Sequence, residues 1–125
     1  GDFLFSVGID MVEISRIEKS MKRPGFLKFV FSEEEIFYFE KNKFPCQSIA
    51  AAFCAKEAFS KAMGTGLRCF KLKEVQLLHN DLGAPYISLK GNAKKLFSGK
   101  IANISVSLTH TKNYASAVVL CEKIN

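Results

Sequence analysis

A glutamate and a lysine stand one helical turn apart in an alanine-rich stretch, residues 49–63. Residues four apart lie on the same face of a helix, so Glu57 and Lys61 share a face. Most other positions in the stretch are apolar, which is typical of a helix buried in a core. Buried charges must be paired or must face a ligand, because an unpaired one is too costly. Either Glu57 and Lys61 form a simple ion pair, worth about 0.2–0.5 kcal/mol, or both serve a ligand site.

A third charged residue, Asp10, lies in the apolar residues 3–14, whose aromatic and β-branched composition predicts a strand. Aspartate is rare in strands. It often begins a helix, but here Met11 and Val12 continue the apolar stretch without a break. Carboxylates on a buried strand and a buried helix suggest two oxygen ligands for a hard cation. Mg²⁺ is usually held by one or two carboxylates together with water and substrate phosphates. Asp10 and Glu57, with Lys61 to neutralise phosphate oxygens, therefore fit phosphoryl-type chemistry.

Apolar periodicity and turn residues predict the elements that hold these side chains. One helix runs from about residue 14 to a Pro-Gly pair, a second begins with the capping-box sequence of residues 32–35, and a long third one ends near residue 63. Further strands are predicted at residues 70–79, 85–90, 101–109 and 114–122, and a short helix at 92–97. Helices followed by antiparallel strands give the α+β class. We expect one domain, residues 1–125, with three helices packed on an antiparallel sheet.

Composition limits the class of protein. Apolar residues make up 48% of the chain, which argues against disorder. No apolar stretch reaches the roughly 18 residues of a membrane span, and no signal-peptide pattern is present, so we expect no membrane association. The four cysteines lack the C-x-x-C pairing of zinc sites. We therefore expect a reduced, cytoplasmic protein.

Three segments resemble the signature blocks of a known family. They are Gly8-Ile-Asp-Met-Val-Glu-Ile-Ser-Arg-Ile17, residues 53–66 (FCAKEAFSKAMGTG) and residues 106–117 (VSLTHTKNYASA). Their order and spacing are similar to those of holo-acyl-carrier-protein synthases, the small type of 4′-phosphopantetheinyl transferase. The resemblance implies that family's fold and its reaction in fatty acid biosynthesis. In that reaction the 4′-phosphopantetheine arm of coenzyme A passes to a serine of an apo acyl carrier protein, and 3′,5′-ADP leaves.

The resemblance also implies roles for the three charged residues. Asp10 and Glu57 would bind Mg²⁺, and Lys61 would balance charge on the phosphoryl oxygens of bound coenzyme A. All three are thus expected in the catalytic set. The serine proton would pass to Glu57, or to a metal-bound water that Glu57 orients. We favour the water, because a metal-bound glutamate is a weak base.

Five further residues are expected to bind coenzyme A. His110 matches a histidine of the family's coenzyme A pocket, although a lone histidine at the end of an apolar strand is more often structural. Thr111 belongs to the same block and would bind the nucleotide part. Lys56 points about 100° away from the expected metal ligand on the helix and would meet a coenzyme phosphate or a carboxylate. Gly64 and Gly66 would let the backbone approach the nucleotide, or would simply end the helix.

A net charge of +6 predicts an acidic partner. The alternative is a solvated basic helix face, and no nucleic-acid-binding motif is present. The resemblance implies that the partner is an acidic acyl carrier protein, with Arg16 matching a carrier-contacting arginine of the family. A second family arginine corresponds to Gly25 here. Lys22, Arg23 or Lys28 would have to replace it, and we select Arg23. Electrostatic attraction would speed association and weaken with salt.

The last expectations concern the oligomeric state of the protein and two alternative functions. The resemblance implies a homotrimer with active sites at the subunit interfaces. A basic binding module for an acidic protein or RNA, with Asp10 and Glu57 merely structural, would show Mg²⁺-independent binding and no turnover. A transferase of the same family would instead serve the carrier domain of another pathway, such as polyketide synthesis.

Overall fold

Five helices and five strands are present in residues 4–64 and 69–124, the part of the chain that the computed structural model describes. In chain order they are β1 (Phe5–Glu13), α1 (Ile14–Met21), α2 (Phe26–Val30), α3 (Glu33–Lys41), α4 (Cys46–Met63), a 3₁₀ turn (Leu72–Glu74), β2 (Val75–His79), β3 (Pro85–Leu89), α5 (Gly91–Phe97), β4 (Ile101–His110) and β5 (Tyr114–Lys123).

An antiparallel sheet of order β1-β5-β4 carries α4 on one face, and β2 and β3 form a separate antiparallel hairpin. The predicted α+β class is confirmed. The three predicted helices correspond to α1, α3 and α4, and the capping box is present: Ser32 Oγ accepts from the Glu35 amide, and the Glu35 carboxylate accepts from the Ser32 amide.

Two details of the prediction are wrong. The short helix α2 was not predicted: Gly25, with φ at +85°, precedes it, whereas the short helix predicted at residues 92–97 is present as α5. The strand predicted at residues 70–79 begins only at Val75. Before it, the Glu74 carboxylate accepts from the amides of Lys71 (2.9 Å) and Asn92 (2.8 Å), which holds a 3₁₀ turn in place of strand pairing.

The core is organised around α4, whose buried side chains are mostly alanine. Near its C-terminal half the packing is aromatic. Phe97 lies 5.6 Å from both Phe59 and Phe70, ring centre to ring centre, in edge-to-face arrangements. Such pairs add to the free energy of burial, so α5 and the chain after α4 are fixed to this helix.

Glycine at position 8 lets β1 and α4 come unusually close. A Cβ at this position would lie 1.9 Å from the Ala58 carbonyl oxygen and 2.7 Å from the Ala62 amide nitrogen. Both are backbone atoms of the helix, which cannot move aside as a flexible side chain can. This close approach places Asp10, two residues further along the same strand face, against the side of α4 that carries Glu57 and Lys61.

The opposite face of β1 is apolar and exposed. Val7, Ile9 and Met11 are 62%, 63% and 66% exposed, and Val118 and Leu120 of β5 adjoin them in the sheet. The sequence pattern predicted a buried strand, and within one chain only the face of β1 toward α4 is covered. A contiguous apolar patch of this kind is typical of an interaction surface.

Two expectations from composition can be compared with the structure. Cys46, Cys54, Cys69 and Cys121 are free thiols. In residues 4–64 and 69–124 there is no helix with the length and hydropathy that crossing a membrane requires.

We expect Gly8→Ala to destabilise the fold by about 3 kcal/mol, because the added methyl group overlaps the backbone of α4. Urea unfolding followed by circular dichroism would measure this loss. Gly99→Ala is the matched control, because a Cβ at Gly99 meets nothing within 4 Å. Its free energy of unfolding should change by less than about 0.5 kcal/mol. Equal stabilities for the two variants would contradict the close-approach argument.

Candidate functional site

Lys61 forms its ion pair with Asp10, across the contact between α4 and β1. In the described residues, its Nζ lies 3.1 Å from Asp10 Oδ1 and donates to the Ile9 carbonyl oxygen at 3.0 Å. The Asp10 side chain is 18% exposed, whereas that of Lys61 is 56% exposed. The simple pairing of Lys61 with Glu57 along the helix is therefore not what this structure contains.

Glu57 lies in the same cluster, half-buried. Burial raises the pKa of its carboxyl group, the nearby Asp10 carboxylate raises it further, and Lys61 partly opposes both effects. The two carboxylates are thus close enough to repel each other, and a bound cation would relieve that repulsion. No group of three or more His, Cys, Asp or Glu side chains suited to a metal occurs in residues 4–64 and 69–124. Two carboxylates, completed by water and substrate oxygens, are a donor set that fits Mg²⁺.

Strand β5 supports Asp10 from behind. Ser116 Oγ donates to the Asp10 carbonyl oxygen at 2.8 Å, and Cys54 Sγ donates to the Ala115 carbonyl oxygen at 3.5 Å. Burial, together with Asp10 and Glu57, raises the pKa of the Cys54 thiol to about 12, so it stays neutral. Sequence reasoning missed both supporting residues. Their only signal was membership of the second and third blocks.

A cleft of about 370 Å³ opens beside the carboxylates. Asp10, Glu57, Arg16 and Arg23 all line it; the other lining residues are Met11, Val12, Ile17, Ser20, Phe26 and Phe53. The Arg23 guanidinium donates to Ser20 Oγ at 3.1 Å. The structure therefore brings both predicted carrier-binding arginines to the cleft that contains both predicted metal ligands. Phe26, Phe53 and Arg23 also line an adjoining apolar groove of about 560 Å³.

A larger cavity, of about 800 Å³, lies between α2, α3 and the start of α5. Its walls mix three lysines with three glutamates, and it contains none of the predicted site residues. The larger cavity therefore does not coincide with the clustered carboxylates. The chemistry of the side chains, and not the volume of the cavity, identifies the candidate site.

The predicted glycine and hairpin residues do not join this cluster within one chain. Gly64 ends α4 with φ at +73°, its amide donating to the carbonyl oxygens of Ser60 and Lys61. This geometry agrees with helix termination. Gly66 lies outside the described residues.

His110 is exposed at the end of β4, where it pairs with Ala115, which in turn pairs with Val12. It is therefore two strands, about 10 Å, away from the strand that carries Asp10. Thr111 Oγ1 accepts from the amides of Asn113 (3.3 Å) and Tyr114 (3.1 Å), so this side chain holds the hairpin turn.

Lys56 was predicted to contact coenzyme A, but its side chain is completely buried and is not available to it. Its Nζ lies 2.5 Å from Glu35 Oε1. Of the two predicted partners, a coenzyme phosphate is wrong, and a carboxylate, that of Glu35, is what the structure contains. Burial lowers the pKa of the Lys56 ammonium to about 8, although Glu35 acts in the opposite direction. Beyond the capping box, no sequence pattern indicated this pair.

Comparisons with known proteins identify the family of this chain. The family model of the 4′-phosphopantetheinyl transferase superfamily matches residues 6–119. The holo-[acyl-carrier-protein] synthase of Caldanaerobacter subterraneus is 41% identical over 116 residues, which cover 91% of this chain and 91% of that protein. The Clostridium botulinum enzyme of the same name is 40% identical over 119 residues, covering 94% and 97%.

Solved structures show the same fold. The Helicobacter pylori holo-[acyl-carrier-protein] synthase in complex with coenzyme A has a TM-score of 0.82 at 34% identity, with 93% of this chain and 99% of that one covered. The Bacillus anthracis synthase in complex with CoA (3′,5′-ADP) has a TM-score of 0.77 at 27% identity, with 95% and 96% covered. The resemblance carried by the three sequence blocks is confirmed: this chain belongs to the 4′-phosphopantetheinyl transferase superfamily, among its holo-acyl-carrier-protein synthases.

Proposed function

We propose that this chain transfers the 4′-phosphopantetheine arm of coenzyme A to a serine of an apo acyl carrier protein for fatty acid biosynthesis. The single observation that carries the proposal is the cluster of Asp10, Glu57 and Lys61, whose two carboxylates line a cleft together with Arg16 and Arg23. The solved structure of the Helicobacter pylori relative is a complex with coenzyme A, and the names of the relatives contain the acyl carrier protein. Membership of a transferase family disfavours the binding-module alternative.

Asp10 and Glu57 would hold the Mg²⁺ ion. When bound, it supplies Lewis-acid polarisation of the phosphoryl group and stabilises the leaving group. Burial raises the pKa of Glu57 and the Asp10 carboxylate raises it further; the repulsion between the two carboxylates supports this assignment.

The residues of the chain would divide the remaining work. The serine Oγ attacks the pantetheine-side phosphorus, a new O–P bond forms, and the bond to the 3′,5′-ADP leaving group breaks. Lys61 Nζ, whose side chain is more than half exposed, would turn from Asp10 to the phosphoryl oxygens and balance their charge. Glu57 would accept the serine proton, directly or through a water molecule that it orients.

Arg16 and Arg23 would bind the acidic carrier. Both line the cleft, so a carrier seated on α1 would direct its serine toward Asp10 and Glu57. The net charge of +6 supports an acidic partner, because opposite charge steers association.

We also assign His110 and Thr111 to coenzyme A binding, through a homotrimer. Within one chain His110 lies two strands away from Asp10, so it would contribute to the site of a neighbouring subunit. The exposed apolar face of β1 and β5 supplies a surface for such an assembly. Sedimentation velocity would test the homotrimer, and a monomer would contradict it.

The roles of Gly64 and Gly66 in coenzyme A binding and a cytoplasmic location remain predictions. The location is in keeping with four free thiols.

The function itself can be tested by intact-protein mass spectrometry of an apo acyl carrier protein incubated with this chain, coenzyme A and Mg²⁺. We expect the carrier mass to rise by one phosphopantetheine. The rise should be lost with EDTA and be reduced at least about 100-fold in rate by Asp10→Asn, because the donor set is then incomplete. No mass increase with several apo carriers would overturn the proposal.

Arg16→Ala should raise the KM for the carrier about 10-fold and leave the KM for coenzyme A within twofold, because Arg16 lies on the carrier side of the cleft. Steady-state kinetics with each substrate varied in turn would measure both constants. Lys43→Ala, an exposed lysine far from the cleft in sequence, is the charge-matched control. A parallel rise of both constants for Arg16→Ala would argue against a docking role.

Glu57→Gln should raise the melting temperature of the metal-free protein near neutral pH. The raised pKa of Glu57 means that its contribution to stability is full below the unfolded-state pKa and is lost as pH rises through the folded-state pKa. The neutral amide avoids that loss, so the difference should shrink toward acid pH. Differential scanning calorimetry at several pH values would measure it, with exposed Glu40→Gln as control. Mg²⁺ should raise the melting temperature of the wild type but not that of Glu57→Gln.

A further inference from the structure

We propose that the buried ion pair between Lys56 and Glu35 is a positioning device: it fixes the rotation of α4 about its axis and so aims Glu57 into the cleft and Lys61 at Asp10. This inference rests on the function proposed above, because it concerns the same catalytic cluster. Neither residue reaches the cleft, and neither has a part in the transfer itself.

Lys56 is held from three directions. Its Nζ donates to Glu35 Oε1 at 2.5 Å, to the Val75 carbonyl oxygen at 2.7 Å and to the Leu72 carbonyl oxygen at 3.1 Å. An ammonium group has three donors, so each has an acceptor. Nζ also lies 5.1 Å from the centre of the Phe31 ring, a cation–π distance. The end of this side chain therefore has one position.

Glu35 is fixed just as firmly. Oε1 also accepts from the Ser32 amide at 3.0 Å, and Oε2 accepts from the Leu77 amide at 3.0 Å. These donors are backbone groups at the start of α3 and in β2. The acceptor that holds Lys56 is thus attached to two separate elements, which gives α4 a rigid anchor outside itself.

The surface of α4 explains why such an anchor is needed. Six of its eleven buried side chains are alanine, and Ile49 and Phe59 are the large apolar ones. Helices normally lock by fitting ridges of side chains into grooves, and alanine makes shallow ridges. The contact at Gly8 sets how closely β1 and α4 approach, but a smooth contact resists rotation weakly. Directional hydrogen bonds from Lys56 supply the missing constraint.

A small rotation would matter at the site. Side chains extend roughly 5–6 Å from a helix axis, so a turn of about 20° moves a carboxylate by about 2 Å. A misplacement of about 1 Å can cost about 100-fold in rate. A buried ion pair is in general no more stabilising than apolar residues of similar size, so stability alone gives no reason for this one.

The test compares the double variant Glu35→Leu/Lys56→Met with the wild type. Removing both charges leaves no unpaired buried ion, so we expect a folded protein. Its kcat should fall at least 10-fold, while its KM for the carrier stays within twofold, because Arg16 and Arg23 are unchanged. Its affinity for Mn²⁺, measured by electron paramagnetic resonance without substrates, should weaken at least fivefold. A merely structural pair would not produce this split.

Phe97→Leu is the matched control, because it loosens the aromatic packing against Phe59 of α4 without touching the ion pair. At a similar loss of melting temperature it should keep the wild-type kcat. A folded double variant with wild-type kcat and Mn²⁺ affinity would overturn the proposal. Should the double variant not fold, Glu35→Gln replaces it: the amide oxygen keeps the Ser32 cap and leaves Lys56 only an uncharged acceptor, while the Leu77 amide loses its acceptor. Wild-type kcat in Glu35→Gln would likewise overturn the proposal. An inactive wild-type chain would instead overturn the proposed function.

Discussion

The close approach of β1 to α4 is the constraint on which the rest of this structure depends. It exists because Gly8 has no side chain: a methyl group there would overlap the carbonyl oxygen of Ala58. Alanines on the helix allow the same closeness along its length. The result is that a carboxylate on a strand and two charged side chains on a helix share one small volume. Neither element could build the site of Asp10, Glu57 and Lys61 alone.

The alanine-rich surface of α4 creates a second requirement, which concerns the orientation of the helix. A helix that packs through alanine gains closeness but loses the interlocking that larger side chains give, so its orientation has to come from elsewhere. The hydrogen bonds of Lys56 to Glu35, Val75 and Leu72 meet that requirement from the side of α4 turned away from the cleft. Packing distance and helix orientation are thus set by different interactions, one steric and one polar.

Much of this was predictable from sequence, and the exceptions have a common cause. Helix boundaries followed from local chemistry, such as the capping box of Ser32 and the terminal Gly64. The site carboxylates followed from charge in apolar surroundings and from the family resemblance. Lys56 was misassigned because its partner, Glu35, lies 21 residues earlier in the chain. The capping box already accounted for that carboxylate. Its further hydrogen bonds form only in the tertiary structure, so local sequence rules could not predict them.

The two lysines of α4 show how burial separates structure from function. Lys56 has an acceptor for every ammonium proton and no exposed surface, so its charge is compensated by hydrogen bonds inside the protein. Lys61 is more than half exposed, and the Asp10 carboxylate that it contacts also repels Glu57. Three charges so arranged are incompletely balanced, and a cation with an anionic substrate would complete them. The functional site of this small domain is therefore the place where its own electrostatics remain unsatisfied.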